Sequence, residues 1–247
     1  MPMYTHTQPA QPSTLGHYLL SMADVMQRDF QRLMAAEKTI NMSPFGAAAI
    51  TTSGFPISRE RMCELLGFSS LCENSYDSIA ASDHMTQFAS VMMTMAVNLS
   101  RFMKDILDWC TMEFAFFRLT DPYVQISSIM PQKRNPGLVN DLRRDAGLVI
   151  GEAQGVMMRM QNLCLGMADV RDARMMKELA DDACIVLRTF AGFVRTLRVD
   201  RDRALAELNA DWTCTQEIAD RLVRSGHVDF RSGHGFASRL VTWAREK

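Results

Sequence analysis

A polar loop before Pro136 concentrates the side chains best suited to chemistry. It contains two adjacent hydroxyls, Ser127 and Ser128, followed by the cation Lys133 and the amide Asn135. Asn135 is a good N-cap and Pro136 fits the first helical position, so the loop is predicted to end at a helix N-terminus. Free N–H groups at such a terminus favour an anion, and a carboxylate would suit this loop. Ordinary turn chemistry is the alternative that residue types alone leave open, because Ser and Asn are common in loops.

The elements that must position this loop are long helices. From Phe68 to Asp121 the sequence contains neither Gly nor Pro, the residues that most often interrupt a helix. Within that stretch apolar residues recur at three- and four-residue steps, which is the spacing of one helix face. They are Phe88, Met92, Met95, Leu99, Phe102, Ile106 and Trp109. The pattern predicts one very long helix.

Two other segments indicate the same architecture. An apolar stripe from Leu15 to Leu33 predicts an earlier helix that ends before Pro44. The stretch 167–225 contains a single Gly, Gly192, and no Pro. The chain is therefore predicted to be all-α, a bundle of long helices.

The helix predicted after the polar loop has glycines along one face. Gly147, Gly151 and Gly155 follow one another at four-residue intervals. Because Gly lowers helix stability, we expect these positions to allow a neighbouring helix to approach closely. Helices this long bury their apolar faces poorly against themselves, so the core is predicted to be completed by oligomerisation.

Composition and charge exclude several classes of protein. Lys and Arg number 27 against 28 Asp and Glu, for a net charge of −1, which argues against a nucleic-acid or anionic-membrane partner held by bulk charge. At 47% hydrophobic and 22% charged residues, the sequence has enough apolar surface for a large core. No apolar run approaches the roughly 18 residues that suggest a membrane span, and the first residues do not form a signal peptide. We expect a cytoplasmic protein.

The cysteines carry no metal or catalytic signature. The six cysteines are scattered through apolar stretches, without a CxxC pair and without a histidine at zinc-ligand spacing. They are predicted to be reduced core residues, and no metal site is predicted.

The order of residues in the polar loop is more specific than their types. From Ser127 to Pro136 the string Ser-Ser-x-Met-Pro-x-Lys-x-Asn-Pro fixes seven residues in ten positions. It resembles the signature loop of the fumarase/aspartase superfamily of tetrameric lyases. The segment Tyr4 to Gln8 is similar to a second shared region of these enzymes, in which a Thr-His pair faces the substrate. Further segments resemble argininosuccinate lyases in particular, namely residues 15–19, 55–61, 64–68, 73–77 and 130–136.

The resemblance implies a reaction and a role for each matching residue. Enzymes of this class remove a proton from the carbon beside a carboxylate, forming a dianion that expels an amine or hydroxide without cofactor or metal. By resemblance, Ser127 is the base, while Lys133 and Asn135 bind the carboxylate. A serine hydroxyl is a poor base, so its activation requires nearby positive charge and hydrogen-bond donors. Thr5 would orient the other end of the substrate, and His6 would transfer a proton to the leaving group or act electrostatically.

The resemblance also implies a substrate, with alternatives. The main hypothesis is cleavage of argininosuccinate to arginine and fumarate, a step of arginine biosynthesis. Residues 166–172 lack the Tyr and Gln of the substrate-binding pattern usual there, which suits a lyase acting on another N-substituted aspartate or an aminopolycarboxylic acid. Ile126 also stands where these lyases usually have Gly, and a branched residue restricts the backbone. A hypothesis from another class is a catalytically silent, truncated scaffold subunit.

The matched segments also suggest how the chain is organised. It starts at the second shared region of the superfamily and stops within what resembles the C-terminal helical domain, so we expect part of a larger enzyme or a gene remnant. Residues 1–195 are predicted to form the central long-helix bundle that contains the signature loop. Residues 196–247 are predicted to form a partial C-terminal helical domain. By resemblance the assembly is a homotetramer, and we expect the chain alone to be helical, self-associating and poorly active.

Overall fold

A computed structural model describes residues 1–161, 163–166, 173–226 and 228–247, and helices dominate these ranges. The helices are α1 Leu15–Ile40, α2 Arg59–Leu66, α3 Ser75–Ala80, α4 Asp83–Trp109, α5 Gly137–Met160, α6 Ala173–Thr196, α7 Arg201–Ala210, α8 Thr215–Arg224 and α9 Phe230–Arg245. The strands are β1 Pro2–Thr5, β2 Gln8–Pro12, β3 Met42–Ser43, β4 Ser70–Leu71, β5 Phe117–Arg118, β6 Gln125–Ile126, β7 Arg134–Asn135 and β8 Arg198–Val199. The strands are short and pair two by two, so the predicted all-α fold class is confirmed.

The very long helix predicted from residue 68 onward begins later than expected. Helix α4 starts at Asp83, because the preceding residues form β4 and the separate short helix α3. Asn74 caps α3, accepting hydrogen bonds from the N–H groups of Tyr76 and Asp77. The absence of Gly and Pro therefore did not by itself indicate a continuous helix, whereas the apolar stripe, which starts at Phe88, did mark α4.

Contacts between residues divide the described chain into two compact units. Unit 1 comprises Met1–Ser21, Trp109–Arg118 and Arg198–Lys247, and unit 2 comprises Met22–Asp108 and Leu119–Leu197. This grouping joins the N-terminal residues to the last part of the chain. The predicted domain boundary after residue 195 stays a prediction.

The core of unit 2 lies among its long helices. Phe102 of α4 and Phe190 of α6 meet edge to face, with their ring centroids 5.7 Å apart. Asp29 of α1 is buried, and Asn98 of α4 donates to both of its carboxylate oxygens at 3.1 and 3.2 Å. Because a buried carboxylate needs partners, this contact fixes the register of α1 against α4. The buried face of α5 consists of Gly137, Val139, Leu142, Ala146, Val149, Ala153, Val156 and Met160.

The glycines on one face of α5 are packed less closely than predicted. A Cβ at Gly155 would lie 3.5 Å from Met175 Cε, which is ordinary van der Waals contact. A Cβ at Gly147 or Gly151 would meet no described atom within 4 Å. The expected close helix approach is therefore wrong at these two positions within this chain.

Unit 1 contains the N-terminal hairpin and the last three helices. Helices α8 and α9 pack together where a Cβ at Gly233 would lie 3.1 Å from the carbonyl oxygen of Ala219. Strand β5 pairs antiparallel with β8, with Phe117 opposite Val199. Helix α7 follows β8 directly, and Asp200 caps it by accepting from Arg203 N–H at 3.0 Å.

The predicted burial of the cysteines is correct for only part of the set. Cys63 and Cys72 are buried and Cys110 is half-buried, whereas Cys164, Cys184 and Cys214 are exposed. The last three are therefore not core residues of this chain, because their helix and loop positions face away from its packed interior. Burial raises the pKa of the Cys110 thiol to about 12, which keeps it protonated.

Candidate active site

The candidate signature loop is closed at its base by a short antiparallel ladder. Gln125 pairs with Asn135, and Ile126 pairs with Arg134. Gly137 begins α5 immediately beyond the ladder, and a Cβ there would lie 2.8 Å from Gln125 Cβ, closer than side chains tolerate. Glycine at this position therefore allows the two ends of the loop to meet.

The predicted N-cap is a residue away from its expected place. Helix α5 starts at Gly137 and its N-cap is Pro136, which makes no side-chain cap hydrogen bond. Asn135, predicted to be the cap, instead lies half-buried in β7. Pairing with Gln125 holds the backbone of Asn135 in a ladder, so Asn135 does not cap α5.

An ion pair strengthens the base of the loop. Arg134 donates to the Asp121 carboxylate across the segment that leads into β6. Both side chains are exposed, so this contact contributes less than about 1 kcal/mol to stability. Its effect is to hold the two arms of the loop together.

Ser127 is the hydrogen-bond centre of the loop. The N–H groups of Ile129 and Met130 donate to Ser127 Oγ at 3.3 and 3.0 Å. Lys133 N–H then donates to the carbonyl of Met130 at 3.0 Å, which turns the chain back toward β7. Donors aimed at a hydroxyl oxygen stabilise its deprotonated, anionic form, so the loop geometry suits a serine base.

The apolar residues of the loop face solvent. Ile126 is 73% exposed and Ile129 is 85% exposed. Ile126 lies in the extended backbone of β6, which any L-residue adopts, so this conformation does not require the Gly usual at that position. The loop presents Ile126 and Ile129 together with the exposed ammonium-bearing Lys133.

The second candidate region is the turn between β1 and β2. Thr5 pairs with Gln8, so His6 and Thr7 form a two-residue hairpin turn. Both have positive φ, 48° at His6 and 62° at Thr7. Such turns require positive φ at both central residues and favour Asn and Gly, so a β-branched Thr there is strained, by about 1–3 kcal/mol. Strain of this kind is concentrated at functional sites, where the surrounding structure holds it.

Tyr4 anchors this hairpin in unit 1. Its ring meets Phe114 edge to face at 5.2 Å between centroids, and lies tilted 6.3 Å from Phe116. Burial, assisted by the negative charge of Glu207, raises the pKa of Tyr4 to about 12. Tyr4 is therefore a neutral phenol at physiological pH.

The predicted site residues fall in both units. Ser127, Lys133 and Asn135 share one loop of unit 2, while Thr5 and His6 share one hairpin of unit 1. Each cluster thus exists as a preformed local structure. The segment 167–172, which carries most of the predicted difference from the substrate-binding pattern, lies outside the described residues.

Sequence reasoning missed two features, and the first is a set of contacts that joins two of the matched segments. The Arg59 guanidinium donates to the carbonyls of Phe45, Cys72 and Glu73 at 3.1, 2.8 and 2.9 Å. It also donates to Ser78 Oγ at 2.9 Å, so one side chain joins the segments 55–61 and 73–77. The only sequence signal was that both segments resemble the same family.

The second missed feature is a carboxyl pair between α5 and α6. Burial raises the pKa of Glu152 to about 7, helped by the neighbouring Asp182 carboxyl and by the charge of Glu178, and Glu152 Oε2 has no hydrogen-bond partner among the described residues. The carboxyls lie 30 positions apart in the sequence, and no motif signalled the pairing.

In the described ranges no group of three or more His, Cys, Asp or Glu is placed to hold a metal ion. None of the described helices has the length and hydropathy that a membrane crossing requires.

Comparison with known proteins identifies the family to which the chain belongs. Residues 1–151 match the sequence model of a family described simply as Lyase. The chain therefore belongs to this lyase family, within the fumarase/aspartase superfamily.

Curated proteins that align with the whole chain carry a more specific name than the family. The chain is 38% identical over 249 residues to argininosuccinate lyase from Methanococcoides burtonii (strain DSM 6242), an alignment that covers 100% of this chain and 50% of the relative. It is 37% identical over 243 residues to argininosuccinate lyase from Clostridium botulinum (strain Eklund 17B / Type B), covering 98% of this chain and 52% of that protein. The chain thus spans about half the length of the curated relatives it matches.

Solved structures share the fold. A crystal structure of EDDS lyase in complex with formate superimposes with a TM-score of 0.89 at 32% identity, over 100% of this chain and 49% of that one. A class II fumarase from Schistosoma mansoni gives a TM-score of 0.82 at 19% identity, over 99% of this chain and 55% of that one. At that identity the fumarase supports the fold alone.

Proposed function

We propose that this chain provides catalytic parts of a carbon–nitrogen lyase that cleaves argininosuccinate to arginine and fumarate. The observation that carries the proposal is the geometry of Ser127, whose Oγ accepts two backbone hydrogen bonds inside a loop with the superfamily sequence. The identity to argininosuccinate lyases along the whole chain supports the choice of substrate.

The reaction begins with proton removal from the carbon beside a substrate carboxylate. The Ser127 alkoxide accepts this proton, and the electron pair moves into the carboxylate to form a dianion. Lys133 and Asn135 stabilise that dianion, the first by its charge and the second by its amide donors. Lys133 and Asn135 lie in the same loop as Ser127, which supports a shared role at one substrate carboxylate.

The dianion then collapses to fumarate, and the C–N bond breaks. The electron pair of that bond remains on the leaving nitrogen, which takes up a proton. His6 supplies this proton or stabilises the departing group, and Thr5 orients the end of the substrate that leaves. The strained turn holds His6 at the exposed tip of its hairpin.

A second candidate is elimination of fumarate from another N-substituted aspartate or aminopolycarboxylic acid. Two observations favour it: the 32% identity to EDDS lyase over the whole chain, and the missing Tyr and Gln in residues 166–172. Its chemistry uses the same base and the same carboxylate clamp. Only the group that leaves differs.

We further infer that the working assembly is a homotetramer. Large apolar side chains remain exposed on the long helices, among them Phe30 on α1, Leu148 on α5 and Ile185 on α6. The open positions at Gly147 and Gly151 leave room for a helix of another copy. A cytoplasmic location stays a prediction.

A fumarate-release assay tests the proposed function. Purified wild-type chain is offered argininosuccinate and, in parallel, EDDS, and fumarate is followed by its ultraviolet absorbance. We expect slow release from argininosuccinate, reduced about a hundredfold or more by Ser127→Ala, because a general base contributes on that scale. Ser128→Ala is the matched control and keeps most of the activity.

The outcomes separate the hypotheses. Release from EDDS with none from argininosuccinate would favour the second candidate. An assembled, helical chain that releases fumarate from neither compound would contradict both and indicate a silent scaffold. Equal losses in the two serine variants would contradict the assignment of Ser127 as the base.

A further inference from the structure

The turn that carries His6 needs support from outside itself. A β-branched residue at positive φ, such as Thr7, persists only where neighbouring structure over-determines the conformation. Within the turn, Thr7 Oγ1 donates to the carbonyl of His6 at 2.6 Å, which is a local contact with no anchor elsewhere. The strand residue that precedes Thr5 is Tyr4, and its side chain makes contacts far along the chain.

Tyr4 contacts its surroundings through its ring. Phe114 and Phe116, which we call the aromatic shelf, also meet each other edge to face at 5.6 Å between centroids. Phe116 is fully buried and Phe114 is half-buried. Tyr4 Oη has no hydrogen-bond partner among the described residues. The ring packing, rather than the hydroxyl, therefore joins the hairpin to the shelf.

Residues 200–207 stiffen this shelf. Arg203 of α7 donates to the carbonyl of Glu113 at 2.9 Å and pairs with Glu207 at 2.8 Å. Asp200 N–H donates to the carbonyl of Phe116 at 2.8 Å. The backbone on either side of Phe114 is thus held from the start of α7, at Glu113 by the Arg203 side chain and at Phe116 by the Asp200 N–H.

We propose that Tyr4 is a positioning residue whose ring, braced by the aromatic shelf and by residues 200–207, holds the His6–Thr7 turn in its left-handed conformation. The proposal rests on the proposed function, which places Thr5 and His6 at the substrate. Helix α7 contains no candidate site residue. The proposal gives it a role in setting the position of His6.

Hydrogen exchange measured by mass spectrometry tests the structural half. Tyr4→Leu is expected to raise the exchange rates of residues 3–11 at least about tenfold, because loss of the ring contact favours local opening of the hairpin. Tyr4→Phe keeps the ring and should keep rates within about twofold of wild type. Tyr18→Leu is the matched control, since Tyr18 makes a similar edge-to-face contact with Trp109.

A second variant tests the link to strain. Adding Thr7→Gly to Tyr4→Leu should restore part of the lost protection, because glycine adopts positive φ without steric conflict. Wild-type exchange in Tyr4→Leu would overturn the proposal. So would equal exchange in Tyr4→Phe and Tyr4→Leu, which would assign the role to the hydroxyl. Loss of protection through 215–245 in Tyr4→Leu would also overturn it, as evidence for a general structural role.

Kinetics test the positioning half. In the fumarate-release assay, Tyr4→Leu should lower kcat at least about tenfold with little change in KM, because small misplacement of a reacting group slows chemistry while the carboxylate clamp at 127–135 is intact. Tyr4→Phe should restore kcat. An unchanged kcat in Tyr4→Leu overturns the proposal. If the wild-type chain shows no turnover, the proposed function fails, while the exchange measurements still decide the role of Tyr4.

Discussion

At the scale of single residues, the Ser127 hydroxyl is too weakly acidic to act as a base without help from its neighbours. A free serine hydroxyl releases its proton only under strongly basic conditions, so something must stabilise the anion. The N–H groups of Ile129 and Met130 donate to its oxygen, and Lys133 adds positive charge within the same turn. Ser128, one position later, forms no comparable hydrogen bond in the described structure. The two adjacent serines therefore differ in how well a deprotonated hydroxyl would be stabilised.

Replacing Lys133 tests the charge assigned to it. Lys133→Met should lower kcat about a hundredfold, because it removes a preorganised cation from the developing dianion. Lys133→Arg keeps the charge and should recover part of the loss. Lys104→Met, which removes an exposed lysine paired with Asp108 on α4, is the control and should leave turnover unchanged. A small loss in Lys133→Met, equal to that of the control, would contradict the assignment.

His6→Asn separates proton transfer from electrostatic assistance. If His6 donates the proton to the leaving nitrogen, its loss should remove one limb of the pH–rate profile as well as lower kcat. If it acts only by orientation, the profile keeps its shape. The measurement is kcat against pH for wild type and variant, and an unchanged limb argues against proton transfer by His6.

Glu152 gives stability a pH dependence with a definite sign. Its pKa rises from the ordinary 4.5 to about 7 in the folded chain, chiefly by burial. Well below pH 4.5 the Glu152 carboxyl is protonated in both the folded and the unfolded chain, and stability is highest. Between about 4.5 and 7 the unfolded chain loses this proton more readily than the folded chain. The free energy of unfolding therefore falls as the pH rises through this range. Glu152→Gln should flatten this decline, which is measured by urea unfolding across the pH range.

A second variant controls for the loss of any glutamate. Hydrogen bonds from a backbone N–H and from Ser58 lower the pKa of Glu60 below its ordinary value, so its own effect on stability falls at lower pH than that of Glu152. Glu60→Gln should therefore leave the slope unchanged. A slope that survives in Glu152→Gln would show that another group is responsible.

At the scale of elements, the signature loop depends on a close approach of its two ends. Gly137→Ala would force a Cβ to within 2.8 Å of Gln125 Cβ, so we expect a loss of about 1–3 kcal/mol in stability and slower turnover. Gly192→Ala in α6 meets no described atom within 4 Å and should stabilise the chain by about 0.5–1 kcal/mol. Thermal unfolding and fumarate release together give both results. A stabilising Gly137→Ala would contradict the loop geometry.

At the scale of the whole molecule, the exposed apolar faces predict assembly. Light scattering and sedimentation should show a species of about four chain masses, because helices with such faces are buried by symmetry mates. Leu148→Arg should shift the distribution toward monomer with helicity retained. Asn140→Arg, on an exposed position of the same helix, adds the same charge and should not. A monodisperse monomer for the wild-type chain would contradict the prediction.

Amino-acid order alone predicts the all-α fold class and the apolar faces of α1 and α4. Helix periodicity is visible in sequence because each turn of α1 or α4 must bury one face, and this constraint repeats every three or four residues. The order of residues in the loop is specific enough to predict roles for Ser127, Lys133 and Asn135, and those roles stay predictions.

How the candidate residues are held depends on contacts between segments that are distant in the sequence. Pairing of Gln125 with Asn135 replaced the expected helix cap, and the packing of Tyr4 on Phe114 joined residues 110 positions apart. These contacts depend on which distant segments meet, and no local pattern encodes that choice. The positive φ of Thr7 is a stronger case, because the local preference of a β-branched residue points the other way, and the pairing of β1 with β2 places Thr7 in the turn.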